Sequence, residues 1–163
     1  MITTFLVAST LMFGSILNGS AQQSQALKEQ AVVNQHLAGS ALNITSATIG
    51  TSGSAYVRVS IDNTGSESVF DFSEMDVILK YTDDLDATNL THLTFNSVSA
   101  GVNQWTVPVS GVQPDTFNPN AWDSDEVLTL DIQVTPSIKS GTSANIVVGT
   151  PQGVTDQSDL TNP

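Results

Sequence analysis

The densest group of side chains able to do chemistry is the run Asp83-Asp84-Leu85-Asp86-Ala87-Thr88-Asn89. Carboxylates at Asp84 and Asp86 and the amide oxygen of Asn89 are hard oxygen ligands of the kind calcium takes. These three residues form the candidate metal set, and calcium is the candidate ion. Their spacing departs from an EF-hand, which needs a glycine at its sixth position and a late glutamate, so a solvated acidic turn is the competing reading. Asp123-Ser124-Asp125-Glu126 is a second, weaker acidic cluster. Catalysis has little to draw on. There is no cysteine and there are two histidines, His36 and His92. His92 alternates with Leu93 on a strand-like run and is expected on its exposed face. No glycine-rich phosphate loop and no H-E-x-x-H pattern occur. No catalytic residue and no cofactor beyond that candidate ion are expected, and the chain reads as a non-enzyme.

Modification chemistry is better represented. Asn18-Gly19-Ser20, Asn43-Ile44-Thr45 and Asn89-Leu90-Thr91 all match the N-x-S/T acceptor pattern for asparagine glycosylation. Asn43 and Asn89 fall where a domain surface is expected and are the candidate glycosylation sites. Asn18 falls in a helical stretch, where a glycan would obstruct packing.

Two kinds of element must position these groups. Met1 to Leu17 carries no charge and is apolar or small throughout. At 1.5 Å per residue it spans about 26 Å as a helix, slightly short of the roughly 30 Å bilayer core. Thr3, Thr4, Ser9, Thr10, Gly14 and Ser15 dilute it, and such residues let helices approach closely and hydrogen-bond to one another. An ordinary secretion signal would begin with basic residues, whereas the first here is Lys28. From Asn18 to Ser40 the sequence turns polar but keeps a narrow stripe of Ala26, Leu27, Ala31, Val33 and Leu37 at helical spacing. The pattern predicts one helix from about residue 2 to 38, roughly 55 Å long and stopped at Gly39-Ser40.

After Ala41 the sequence reads as short β-branched runs at 42–49, 55–62, 68–72, 75–81, 91–98, 103–110, 126–134 and 144–149. They are divided by Gly, Pro, Asn and Asp with no helical pattern between them, which predicts an antiparallel sandwich of the immunoglobulin-like class. Its candidate core is Tyr56, Val57, Val59, Phe70, Val77, Leu79, Phe95, Trp105, Leu128, Leu130, Ile132 and Val147. The overall expectation is an α+β chain with a long N-terminal apolar helix (1–40), a β-sandwich (41–154) and a polar, poorly packed C-terminal tail (155–163). Sixteen acidic residues face four basic ones, Lys28, Arg58, Lys80 and Lys139, for a net charge of −12. Such a surface repels nucleic acid and anionic lipid and suits a face that must stay soluble.

These stretches, taken in order, resemble the archaeal flagellins, or archaellins, of the type IV pilin-like superfamily. The likeness runs through ITTFLVASTLMFGSILN, QQSQALKEQAV, the SALNITSATIG junction, VSIDNTGSESVFDFSEMDVIL and WDSDEVLTLDIQVTPSIKSGTSANIVVGTPQGV. Where bacterial type IV pilins carry glutamate at position 5, this chain has Phe5. The resemblance implies a basic leader removed before the apolar core, a membrane-held precursor, and assembly and motor machinery at the filament base. It further implies a glycosylated, extracellular helical homopolymer that drives swimming. Ile2, Phe5, Leu6, Met12, Phe13 and Ile16 would then form the assembly core. An adhesive pilus subunit and a membrane-anchored accessory protein gripping the cell envelope share the architecture and are the alternatives.

Overall fold

The computed structural model describes residues 22–50 and 55–162. The chain divides into two compact units, Met1–His36 and Leu37–Pro163, close to the boundary expected at residue 40. Residues 22–39 are helical. The described residues of the second unit form nine strands: β1 (Leu42–Ile49), β2 (Tyr56–Asn63), β3 (Asp76–Thr82), β4 (Thr88–Phe95), β5 (Gln104–Thr106), β6 (Val112–Gln113), β7 (Val127–Gln133), β8 (Ser143–Gly149) and β9 (Thr155–Thr161).

The strands run in the order β1-β2-β7-β5-β4-β3-β8-β9, with β6 added alongside β7. All neighbours are antiparallel except β4 and β5, which pair in parallel through Thr94↔Gln104 and Phe95↔Trp105. This short parallel bridge joins two layers into an antiparallel-rich sandwich. At the opposite side the two ends of the order also meet, because the Ile44 N–H donates to Asp156 Oδ2 at 2.8 Å. The register of β1 is broken between Ile44 and Ser46, and that irregularity leaves an edge amide for Asp156 to satisfy. The result is nearly a barrel, which leaves little free strand edge to pair with strangers.

The core follows from period-two alternation. Val57, Val59 and Ile61 of β2 face Val77, Leu79 and Tyr81 of β3, with Leu128, Leu130 and Ile132 of β7 and Ile146 and Val148 of β8 completing the buried cluster. Trp105 and Trp122 are its largest fully buried members. Phe95 packs on Trp105 with ring centroids 4.8 Å apart and a 55° tilt.

Several expectations need correction. Tyr56 and Phe70 are exposed and Val147 is half-buried, because the inward phase belongs to Val57, Val69, Ile146 and Val148. The run at 68–72 is no strand: Val69 makes one isolated bridge with Trp122, and Asp71 caps a single 3-10 turn at Phe72–Glu74. The run at 103–110 is strand only as β5, Gln104–Thr106, and a turn in which the Gly111 amide donates to Pro108 O at 2.7 Å leads on to β6. The stretch from Thr155 is not a loose tail but β9, paired with β8 along its length, burying Leu160 and fixed by an Asn162 amide donating to Ile138 O at 2.7 Å. Its polar residues misled because only one of its faces is covered. The assembly-core residues Ile2, Phe5, Leu6, Met12, Phe13 and Ile16, and the sequon at Asn18, lie outside the described residues.

Candidate functional site

The helix at 22–39 carries Leu27, Val32, Val33 and Leu37 exposed on a single copy. Its polar side is tied internally, with Gln25 Nε2 donating to Glu29 Oε1 at 3.2 Å. Among the described residues Leu27, Val33 and Leu37 form an apolar stripe that stays exposed, and such a face suits a contact with another chain.

The passage from helix to sandwich is held by backbone. Gly39 O accepts from the Ser66 and Glu67 amides at 2.7 and 3.2 Å, and Ala41 O accepts from the Thr64 and Gly65 amides, both at 3.1 Å. The Asn-Thr-Gly turn that supplies these donors is shaped by Asn63, whose Oδ1 accepts from the Gly65 amide at 3.0 Å. Asn63 Nδ2 donates to Glu67 O and Trp122 O. Ser40 Oγ lies 3.2 Å from Thr150 Oγ1, a buried hydroxyl pair. Beside this turn Asp123 accepts from Ser68 Oγ at 2.5 Å and from Asn118 at 3.1 Å. The Ser68 hydroxyl first, and Asn118 second, hold its carboxyl below the usual range. Glu126 accepts from the Asp123 and Thr116 amides. The second acidic cluster is therefore a set of loop ties.

In the 83–89 loop the organising residue is Asp83, which the sequence reading passed over. Its Oδ1 accepts from the Leu85 and Ala87 amides, both at 2.9 Å, and its Oδ2 from Asn89 Nδ2 at 2.9 Å. Asn89 is the largest cause, ahead of Ala87, of a carboxyl held below its ordinary range. The signal was an aspartate opening a short turn, where a carboxylate satisfies amides two and four residues on. The three candidate metal ligands have separate surroundings. Asp84 is exposed, Asp86 pairs with the Lys139 ammonium, and Asn89 presents its amide nitrogen to Asp83. No group of three or more His, Cys, Asp or Glu among the described residues is placed to hold a metal ion.

The sequons differ in the same way. Asn43 is exposed on β1, and its Thr45 hydroxyl donates to Ser60 O at 3.2 Å. Asn89 is half-buried, and the nitrogen a glycan would join also donates to Ala87 O at 3.2 Å. His92 is exposed as expected, with Nε2 3.0 Å from Asp76 Oδ1. Among the described residues no helix is long and apolar enough to cross a membrane.

Comparison with known proteins adds to this geometry. The sequence matches the family profile of archaeal-type flagellin over residues 1–159. No curated protein is significantly similar in sequence. The archaeal flagellum of Methanospirillum hungatei is similar in structure, with a TM-score of 0.63 at 13% identity, covering 99% of this chain and 90% of that one. Flagellin FlaB1 of Methanocaldococcus jannaschii gives 0.52 at 15% identity, covering 76% and 90%. The archaellum periplasmic stator protein FlaG of Sulfolobus acidocaldarius gives 0.53 at 21% identity, covering 74% and 98%. At such identities these three establish likeness of fold. With the profile matched over residues 1–159, the chain belongs to the archaeal-type flagellins, the structural subunits of the archaeal flagellar filament.

Proposed function

We propose that the helix packs with its copies into the core of an extracellular filament, that the sandwich forms the outer sheath, and that rotation of the filament drives swimming. The observation that carries this reading is the exposed stripe of Leu27, Val33 and Leu37, together with a sandwich that buries a core of its own. Burying such side chains between copies contributes about 1.5–3 kcal/mol each, enough, repeated along a filament, to hold subunits without covalent links. The uncharged Met1–Leu17 sequence serves the precursor as its hold on the membrane before assembly. Base-located machinery then transfers it into the polymer. The sandwich has no catalytic part to play, and Asn43 is the position that takes a glycan.

Deleting the gene and restoring it tests this reading. Swimming is lost on deletion, returns with the parent sequence and fails to return with Val33→Asp, which leaves an unpaired charge in a dry interface at a cost of several kcal/mol. Unimpaired swimming in the deletion strain with loss of surface attachment would transfer the chain to adhesion. The FlaG likeness supports a second reading, an accessory role at the filament base. It covers about three quarters of this chain, whereas the flagellar filament likeness extends over nearly all of it.

A further inference from the structure

Among the described residues, the sandwich carries an open groove of about 1110 Å³. Tyr56, Val98, Pro108 and Val109 line it, and Val98 and Val109 are almost wholly solvent-exposed in one copy. The charged residues lining it are Arg58 and Asp131, and they neutralise each other through two parallel bonds, Nε to Oδ1 at 2.7 Å and Nη2 to Oδ2 at 3.0 Å. This neutrality stands out against its surroundings. Lys28 and Glu29 cancel within residues 1–36, so the whole net charge of −12 resides in the sandwich unit. Two such domains repel unless they meet where charge is absent.

A matching knob exists at the other end of the same strands. Phe117 is 84% exposed at the tip of the loop between β6 and β7. It is not loosely displayed: the Thr116 amide on one side donates to Glu126 and the Asn118 amide on the other donates to Asp123. An aromatic ring held outward by a pre-tied loop loses little entropy on docking. Residues 114–121 carry one charge, Asp115, whose Oδ2 accepts from the Asn120 amide at 3.2 Å. The other exposed apolar tips fit worse, because Leu85 sits between Asp84 and Asp86 and Phe70 precedes Asp71. The loop is anchored beside Asn63, whose amide donates to Glu126 O at 3.0 Å, while the groove lies at the Tyr56 end of β2. Seven strand residues separate these ends by about 23 Å, so a copy cannot fill its own groove.

We infer that Phe117 of one copy seats in the groove of the next, making the sheath contact of the polymer head to tail. A knob and a groove on different surfaces form a heterologous interface, which propagates into an open helix rather than closing a two-fold dimer. This contact rests on the filament reading, and its test separates the two. The chain contains no cysteine, so engineered thiols report without background. Filaments are collected from cells whose copy carries Phe117→Cys, Val109→Cys or both, imaged, treated with a mild oxidant and run on non-reducing gels. The double variant gives a ladder of trimers and longer covalent chains, mixed single variants give dimers only, and each single variant alone stays monomeric. Val98→Cys in place of Val109→Cys gives the same ladder. Ordered filaments that yield no ladder with either groove position would overturn the contact and leave the filament reading standing. Dimers from Phe117→Cys alone would overturn it in favour of a two-fold pairing. Absence of filaments from the unaltered chain would sink both.

Discussion

Replacing Gly65 with alanine tests whether the junction between helix and sandwich is held as the backbone bonds indicate. A methyl group at Gly65 would lie 2.3 Å from Gly39 O and 2.5 Å from Ala41 N. Both are backbone atoms, so the strain cannot be relieved by swinging a side chain aside. The turn must move outward, and the bonds at stake are those from Thr64 and Gly65 to Ala41 O, those from Ser66 and Glu67 to Gly39 O, and that from Ser124 Oγ to Gly65 O at 2.6 Å. Each such bond contributes roughly 0.5–1.5 kcal/mol net, so losing about three costs roughly 3 kcal/mol. For a domain of this size that lowers the melting temperature by about 10 °C. Thermal unfolding followed by circular dichroism, on a fragment beginning at Gln22, measures it. Gly153→Ala is the control: that residue has φ +86 with no atom within 4 Å of a new Cβ, so it carries only left-handed strain of about 1–2 kcal/mol. If Gly65→Ala costs no more than Gly153→Ala, the junction is not clamped by these bonds.

Acid should loosen the same fold. Asp83 and Asp123 both have folded pKa values below the unfolded value of about 3.9; their stabilisation is present above it and lost as pH falls through the lowered values. Stability therefore declines below about pH 4, and Asp83→Asn and Asp123→Asn flatten that decline in acid titrations followed by fluorescence; an unchanged slope in both would remove these carboxylates from the explanation. Mass spectrometry of filaments should show loss of glycan mass in Asn43→Gln and none in Asn89→Gln, and the reverse pattern would show that the Asn89 amide is free when modified. Because Asp83 satisfies the 83–89 loop without help, chelator leaves the melting temperature unchanged. A rise with calcium that Asp86→Ala abolishes would assign an ion to that loop.

The architecture was legible because alternation and turn residues act locally. VRVSID and VLTLDIQ state their buried faces outright, and Gly39-Ser40 marks the end of the helix. What escaped notice depended on partners far along the chain. β9 is polar on its open face, so only its pairing with β8 and the burial of Leu160 reveal it as a strand. Phe70 reads as core by hydrophobicity, yet the Val69–Trp122 bridge fixes the opposite phase. In the acidic loop the residue types were recognised but not their division of labour. Asp83 organises the turn because its position, not its charge, places two amides and the Asn89 side chain within reach. Asn43 and Asn89 look equivalent as sequons, and only the folded hydrogen bonds distinguish them.

The sheath contact and the helical stripe divide the work of assembly between two surfaces. The stripe offers apolar area without charge, whereas the sandwich must bring together domains that carry all the net negative charge. Screening limits that repulsion to about 8 Å at physiological ionic strength, so filaments in very dilute buffer loosen at the sheath before the helices separate.

A helical reconstruction of filaments purified from cells that produce this chain tests the central claim most directly. The proposed assembly places helix 22–39 on the filament axis with Leu27, Val33 and Leu37 buried among neighbouring copies and the sandwich facing outward. Particles in which these helices are solvent-exposed, or in which the chain occurs only at the filament base, would contradict it.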